Sequence, residues 1–226
     1  SFKNINNQLL VKDIKTGPNK KVVALQNVEL LKFSDQIVEK ENLNKTKSYR
    51  KNFNDYEFIR DSNNNIFVKL SNTYDDITGI PKIKFAEKSM SAIRDISGTF
   101  DLITGKEEAS GEIFRLHKAA FKRHPDVEGL KYWIKMYKEN QITKRHIAKS
   151  FLESDEYITR FKDSNSDAKF VNNLYQNVLG RLPDNEGFQY WFNQLESGRE
   201  TKSDLLLGFA ESSENKALFS EMTGIF

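Results

Sequence analysis

The sequence predicts an α+β fold, in which a β-repeat segment of short antiparallel or solenoid-like strands precedes an all-α domain. Three observations favour this class. Before residue 105, apolar and β-branched residues occur in short runs between turn residues. After it, apolar residues recur every three or four positions, as on one face of a helix. The second half also aligns with itself, which predicts an all-α domain made of two four-helix repeats.

The strand signals of the first half are short and bounded by turns. NIFVKLS (65–71) alternates apolar and polar residues, and DSNNN (61–65) before it predicts a hairpin turn. KKVVALQNVELLKF (20–33) is rich in β-branched and apolar residues and lies between a TGPN turn and an SD stop. These patterns predict strands within a β-rich region over residues 1–105.

The strand signals also occur twice. NVELLKFSD (27–35) aligns with GIPKIKFAE (79–87), and LLVKD (9–13) aligns with IFVKL (66–70) after a small change in length. The first half is therefore predicted to be a tandem of short β units, and we expect the chain to begin inside one of them, as a fragment of a longer protein.

This tandem resembles the β segments of bacterial secreted proteins of the RTX type. In those segments a strand pair leads into the pattern L-x-x-V-E-x-L-x-F-x-D, which LQNVELLKFSD matches well and ITGIPKIKFAE matches in degraded form. The Gly- and Asp-rich nonapeptides that bind calcium in such proteins are missing here. The resemblance therefore does not imply calcium binding by this half.

The second half contains an ungapped duplication. Residues 113–161 align with residues 171–219, and TGKEEASGE (104–112) is the predicted linker before them. The alignment keeps Pro, Gly and Trp in register, with the identities Leu116/Leu174, Arg123/Arg181, Pro125/Pro183, Asp126/Asp184, Glu128/Glu186, Gly129/Gly187, Tyr132/Tyr190 and Trp133/Trp191. We predict a helical domain over residues 106–226, with repeat one at 110–162 and repeat two at 167–220. In repeat two, the expected local features are a loop (163–168) that ends in Asp167 as a helix cap, Gly180 as a helix stop, Phe188 pointing at a core, and a capping box of Thr201 and Asp204.

The repeat FVNNLYQNVLGRLPDNEGFQYWFNQLESG resembles the helical domain of unknown function found in bacterial secreted, S-layer and RTX-type surface proteins. It also has the pattern of the phycobilisome linker domain. The resemblance implies an extracellular location at the bacterial cell surface and a role in attachment or assembly. Related helical regions attach some surface layers to lipopolysaccharide, which implies a glycan partner.

The segment PDNEG within the repeat predicts a helix start. Pro183 suits the first turn, Asp184 and Glu186 favour its positive end, and Arg181 can pair with one of them. Gly187 predicts a close approach by a ring or helix. The alternative is a sugar-binding groove, since aromatic rings stack on sugars and acidic groups bind hydroxyls. Its lining would be Tyr132, Tyr190, Arg123, Arg181, Asp126, Asp184, Glu128 and Glu186.

Composition excludes several classes of function. A net charge of +3 is too small for typical nucleic-acid binding, and no apolar run is long enough to span a bilayer. There is no cysteine, and His117, His124 and His146 form no paired metal motif. No nucleophile motif is present, so the sequence predicts a protein that is not an enzyme. It predicts no cofactor or metal, with calcium left open.

We therefore expect a non-catalytic extracellular module for cell-surface attachment or assembly, of the S-layer or adhesin type. Its predicted partner is a cell-surface polysaccharide, lipopolysaccharide or another copy of the chain. Two alternatives stay open: an accessory C-terminal region of a secreted hydrolase, and a scaffold that binds other proteins through its helical faces.

Overall fold

The computed structural model describes residues 2–5, 8–12, 22–25, 30–32, 37–39, 45–162 and 166–226, with side chains from residue 45 onward. Short strands come first and helices follow, as predicted. The strands are β1 (Phe2–Ile5), β2 (Gln8–Lys12), β3 (Val22–Leu25), β4 (Leu30–Lys32), β5 (Ile37–Glu39), β6 (Thr46–Ser48), β7 (Glu57–Arg60), β8 (Ile66–Lys69), β9 (Tyr74–Asp76), β10 (Lys82–Lys84) and β11 (Ser89–Met90).

A π-helical turn, Ala92–Ser97, leads into the helical region. The helices of the described chain are α1 (Gly98–Asp101), α2 (Ala109–Phe121), α3 (Val127–Lys138), α4 (Lys144–Leu152), α5 (Asp155–Arg160), α6 (Asp167–Val178), α7 (Asn185–Glu196), α8 (Lys202–Ala210) and α9 (Ser213–Thr223). In the described part of the chain, none of them is long and apolar enough to cross a membrane.

The strand pairing repeats along the chain, in agreement with the predicted tandem. The antiparallel sheets β1-β2-β3 and β7-β8-β9 share one strand order, although two residues separate β1 from β2 and five separate β7 from β8. Hairpin β4-β5 likewise matches β10-β11. Strands β6 and β10 pair in parallel. The sequence predicted antiparallel or solenoid-like strands and did not indicate this pair. The aligned residues Val28 and Phe33 lie outside the described residues.

The chain forms two compact units. The first unit comprises residues Ser1–Phe53 and Ile77–Arg94. Among its described side chains, Phe53 and Phe85 are buried and meet edge to face, with ring centroids 5.3 Å apart. The backbone N–H of Phe53 donates to the Glu87 carboxylate at 2.9 Å. This aromatic contact ties the end of the first segment to the second.

The second unit comprises residues Asn54–Asp76 and Asp95–Phe226, and so contains the sheet β7-β8-β9 together with the helices. Strand β7 packs against α9, and Arg60 donates from Nε to the carbonyl of Thr223 at 3.1 Å. The predicted division at residue 105 follows the change from strands to helices, whereas the compact units divide the chain differently. The sheet was predicted, but not its place in the helical unit.

The helices recur with a constant offset. Helices α3 and α7, like α4 and α8, have bounds that differ by 58 residues, as 127 and 185 do. Both copies of the apolar stripe are buried, including Ile113 and Val171 at equivalent positions. Helix α2 packs against α6 and α8, and α4 packs against α8, so the two halves of the duplication contact each other within this unit.

Helix ends follow the residue types present. Thr201 and Asp204 form the predicted capping box at α8, and Gly180 has the positive φ of 70° expected just after α6. Asp167 was expected to cap α6, but Ser166 does so, because its side chain accepts from the N–H of Lys169. Part of the predicted loop before it, residues 163–165, lies outside the described residues.

Candidate functional site

The Asp residues of the PDxEG motif are helix caps. Asp126 accepts from the backbone N–H of Gly129 at 2.6 Å, and Asp184 accepts from that of Gly187 at 2.7 Å. Pro183 was expected to lie in the first turn of the helix. Because α7 begins at Asn185, Pro183 instead precedes the cap residue Asp184. Both carboxylates therefore satisfy backbone donors that the helix itself leaves unpaired.

The arginine just before each PDxEG motif forms an ion pair with a glutamate 33 residues later in the chain. Arg123 pairs with Glu156 through Nε and Nη2, at 2.5 and 2.8 Å. Arg181 makes the same bidentate contact with Glu214, at 2.7 and 2.9 Å. The expected partner Asp184 lies farther from Arg181, at 3.9 Å.

These pairs tie each motif to the start of α5 or α9. The hydrogen bond from arginine lowers the pKa of the Glu156 and Glu214 carboxyl groups. The glutamates therefore stay ionised and serve as fixed partners of the arginines, which is a structural use of both charges.

Gly187 allows the close approach that the sequence predicts. A Cβ atom at this position would clash with the hydroxyl of Tyr175. Tyr175 is buried and its oxygen is hydrogen-bonded to Trp191, whose indole N–H can only donate. Burial raises the pKa of the Tyr175 hydroxyl. The glycine thus lets the tyrosine hydroxyl reach the indole across α6 and α7.

Tyr132 and Tyr190 are the aromatic members of the predicted set, and both are exposed. Their exposed fractions are 53% and 56%, and each ring lies edge-on to the neighbouring tryptophan. Glu128 pairs with Lys131 at 3.0 Å, and Glu186 lies exposed in the first turn of α7. Of the eight predicted residues, the arginines and aspartates are therefore engaged in structure, and the two tyrosines present accessible rings.

The residues before and at the start of α3 are more deeply buried than their counterparts at α7. His124 is buried beneath Phe58 and Phe100, with ring centroids 5.3 and 5.0 Å away. Its counterpart Leu182 is 68% exposed. Leu130 is buried too, whereas its counterpart Phe188 is only half-buried. The sequence had predicted that Phe188 points at a core.

We call the uncovered surface of the second copy the open face. It consists of Leu182, Pro183, Phe188 and Phe192, and the last two rings stack 5.7 Å apart. In the first copy the matching residues His124, Pro125 and Leu130 are buried, and Ile134 is half-buried. Residues 95–101, which we call the covering segment, contact this surface. The Thr99 hydroxyl lies 3.0 Å from the carbonyl of Asp95 and 3.3 Å from that of Pro125, and the Ile96 carbonyl lies 3.3 Å from Nε2 of His124.

A cleft of about 760 Å³ is the second feature of this unit, and sequence reasoning missed it. It lies between the sheet β7-β8-β9, α2, α9 and the end of α6. Its walls include Glu57, Ile59, Phe67, Lys69, Tyr74, Lys118, Lys122, Gln176, Asn177, Asn215, Glu221 and Met222. These residues are far apart in sequence, and none belongs to a motif that would have indicated a site.

His117 and His124 are buried and form part of the core. Burial is the main cause that lowers the pKa of His124 to about 3 and holds the pKa of His117 well below its usual range. Both rings are surrounded by aromatic side chains. Across the described residues, no three His, Cys, Asp or Glu side chains are grouped so as to hold a metal ion.

Comparison with known families identifies the helical region. The model of the family "Domain of unknown function (DUF4214)" matches twice, at residues 112–161 and 148–219. No curated protein and no solved structure matches the chain. The two matches together span residues 112–219 and support a duplicated domain of unknown function in the helical region.

Proposed function

We propose that this chain is a non-catalytic extracellular module for cell-surface attachment or assembly, built from two four-helix repeats. In this proposal the open face of the second repeat docks a short helical segment of another polypeptide. One observation carries it: the equivalent face of the first repeat is covered by such a segment, and the face of the second is not.

The covering segment indicates the chemistry of the occupant. It places Ile96 and Phe100, four residues apart and fully buried, against the first repeat. Residues four apart lie on the same face of a helix. The open face presents Leu182 where the first repeat has His124, so it offers apolar contact without the ring nitrogen. Its occupant is thus a helical turn with two large apolar side chains on one face.

The absence of catalysis belongs to the same proposal. The carboxylates that would be the first candidates for acid-base chemistry accept backbone hydrogen bonds or pair with arginine. The extracellular setting is supported by the resemblance of both the β and helical repeats to those of secreted, S-layer and RTX-type proteins. A fixed scaffold with one uncovered face suits assembly, since large uncovered apolar patches mark interaction sites.

A peptide that contains the covering segment and its flanking residues tests the proposal. Fluorescently labelled AIRDISGTFDLI (92–103) is titrated with the full chain and followed by anisotropy. We expect binding by the unmodified protein, and loss of binding in the variant Leu182→Glu. The matched control Ile158→Glu changes another exposed apolar residue, outside the open face, and should bind normally.

Absence of peptide binding, or equal binding by Leu182→Glu, would overturn the proposal. Sedimentation velocity of both variants shows whether a second copy of the chain is the occupant. In that case self-association of the unmodified protein disappears with Leu182→Glu and persists with Ile158→Glu.

Glycan attachment is a second candidate, favoured by the two exposed tyrosines at equivalent positions. Two equivalent rings would raise avidity for a repeating polysaccharide without a new kind of contact. The double variant Tyr132→Ala, Tyr190→Ala should then lose retention on immobilised lipopolysaccharide. Equal retention of the variant and the unmodified protein would exclude the tyrosines as the glycan site.

A further inference from the structure

The cleft beside α2 has an uneven distribution of charge. The amino groups of Lys69, Lys118 and Lys122 all act electrostatically on the Glu57 carboxylate. Lys69 pairs with it directly, at 2.8 Å from Nζ to Oε2. Glu221 also acts electrostatically on Lys69, so two carboxylates face three ammonium groups and one positive charge remains in excess at this end of the cleft.

Lys118 is half-buried and has only a weak acceptor among the described residues. The hydrogen bond found for its ammonium among the described residues runs to the thioether sulfur of Met222, at 3.1 Å. A thioether is a weak acceptor, and an ammonium has three protons to donate. Burial lowers the pKa of Lys118, and the Glu57 carboxylate opposes that effect. An anion entering the cleft would provide the acceptor that the protein does not.

The remaining walls are suited to an organic ring. Phe67 and Tyr74 come from neighbouring strands of one sheet, and Tyr74 is 61% exposed. The end of α6 and the start of α9 supply the amide groups of Gln176, Asn177 and Asn215. Such amides donate and accept hydrogen bonds, as ring hydroxyls require.

The acidic groups of the cleft act mainly on Lys69. Glu57 pairs with Lys69, and the exposed Glu221 also acts on it electrostatically. Asp61 is already used by the hairpin, since it accepts from the backbone N–H groups of Asn63 and Asn65 at 2.9 and 2.8 Å. The cleft volume also falls within the range of about 300–1,000 Å³ that is usual for small-molecule sites.

We propose that this cleft binds a small anionic ligand, a polar ring of sugar size that carries a carboxylate or a phosphate. Lys118 and Lys122 donate to the anionic group, and the ring lies against Phe67 and Tyr74. This site is separate in its residues from the open face and from Tyr132 and Tyr190. It requires neither the docking nor the glycan-attachment proposal to be correct.

Binding of simple probes tests the inference. Galacturonic acid, glucose 6-phosphate, glucose and inorganic phosphate are each titrated into the full chain, and chemical shifts are followed by NMR. We expect the two acidic sugars to perturb resonances of the cleft, with glucose at least tenfold weaker. A stronger response to galacturonic acid indicates a carboxylate ligand, and a stronger response to glucose 6-phosphate indicates a phosphate ligand.

Two variants separate the parts of the site. Lys118→Met should weaken acidic-sugar binding about tenfold or more, because charge-assisted hydrogen bonds are lost. The matched control Lys135→Met, at an exposed position of α3, should have no effect. Tyr74→Ala changes an exposed residue and should weaken the sugars while sparing inorganic phosphate, even if Lys118→Met fails to fold.

Three results would overturn the inference. They are no response to either acidic sugar, equal binding by Lys118→Met and the unmodified protein, or inorganic phosphate binding as tightly as glucose 6-phosphate. The last result would show a bare anion site without ring recognition.

Discussion

Arg115 in α2 and Glu211 at the end of α8 form a bidentate ion pair across 96 residues of sequence. Nη2 of Arg115 lies 2.8 and 2.7 Å from the two carboxylate oxygens, and Nη1 donates to the carbonyl of Lys106 at 2.6 Å. The arginine side chain is only 1% exposed. This pair links the first half of the duplication to the second, at a place where water cannot replace the carboxylate as the partner of the buried arginine.

Arg115→Met should therefore be strongly destabilising. Removal of one partner of a buried pair leaves the other charge unsatisfied, at a cost of about 3–5 kcal/mol. Because Glu211 keeps some exposure and a second contact with Lys216, the loss is expected at the lower end of that range. Urea denaturation followed by circular dichroism measures it.

The exposed pair of Arg181 and Glu214 is the control for this prediction. Arg181→Met should change the urea midpoint far less than Arg115→Met, since exposed ion pairs contribute little. Equal shifts in the two variants would show that the Arg115 pair is not specially important.

Gly187→Ala should destabilise the protein by about 1–3 kcal/mol, because the added methyl group displaces the Tyr175 hydroxyl. The control is Gly208→Ala in α8, where the methyl group meets no atom within 4 Å. That variant should gain up to about 1 kcal/mol from the higher helix propensity of alanine.

The cause can be isolated with Tyr175→Phe, which removes the hydroxyl. In a double-mutant cycle, Gly187→Ala should cost less in the Tyr175→Phe background than in the unmodified protein. Additive losses would contradict the proposed close approach.

Asp126→Ala should cost about 1 kcal/mol, as is typical for loss of a helix cap. Asp126→Asn should cost less, since its amide oxygen can still accept from the N–H of Gly129. Thermal denaturation of the two variants distinguishes a capping role from a role of the negative charge. If Asn is as harmful as Ala, the charge and not the cap is what matters.

His124 should make stability dependent on pH. Burial lowers its pKa from 6.5 to about 3 in the folded chain, so the unfolded chain binds a proton first as the pH falls. Stability is thus fully present above pH 6.5 and is lost progressively toward pH 3, by up to about 1.4 kcal/mol per pH unit for one histidine.

The variant His124→Leu gives the first repeat a leucine at the position where the second repeat has Leu182. The variant should show a shallower decline of unfolding free energy between pH 6.5 and pH 4. His117, whose pKa burial also lowers, and carboxyl groups whose pKa is lowered, such as those of Glu156 and Glu214, contribute to the decline that remains. An unchanged slope in His124→Leu would contradict the assignment.

Local features of the helices were predictable from the sequence. Ile113, Leu116 and Val171 follow the helical spacing and are buried, and Thr201 with Asp204 caps α8. The β pairing follows the predicted tandem for the same reason, since strand periodicity and turn residues are local. Gly187 was correctly expected to permit a close approach, although its neighbour Tyr175 was not identified.

Partners distant in sequence were not predictable in the same way. Arg181 was expected to pair with Asp184 or Glu186 and does lie 3.9 Å from Asp184, but its bidentate partner Glu214, at the start of α9, was not predicted. The cleft draws its walls from a sheet and three helices, and Lys118 gives no sign in the sequence of its contact with Met222. Such contacts depend on how the elements pack.

By itself, the sequence determined that this chain has repeated strands, a duplicated set of helices, and caps at defined residues, because each of these follows from neighbours along the chain. Only the tertiary structure decided which copies of the repeated surface are covered. His124 and Leu182 lie at equivalent positions in the connections before α3 and α7, yet the covering segment contacts His124 and Leu182 is exposed. Burial depends on which element packs there, and a repeated sequence cannot specify different neighbours for its two copies.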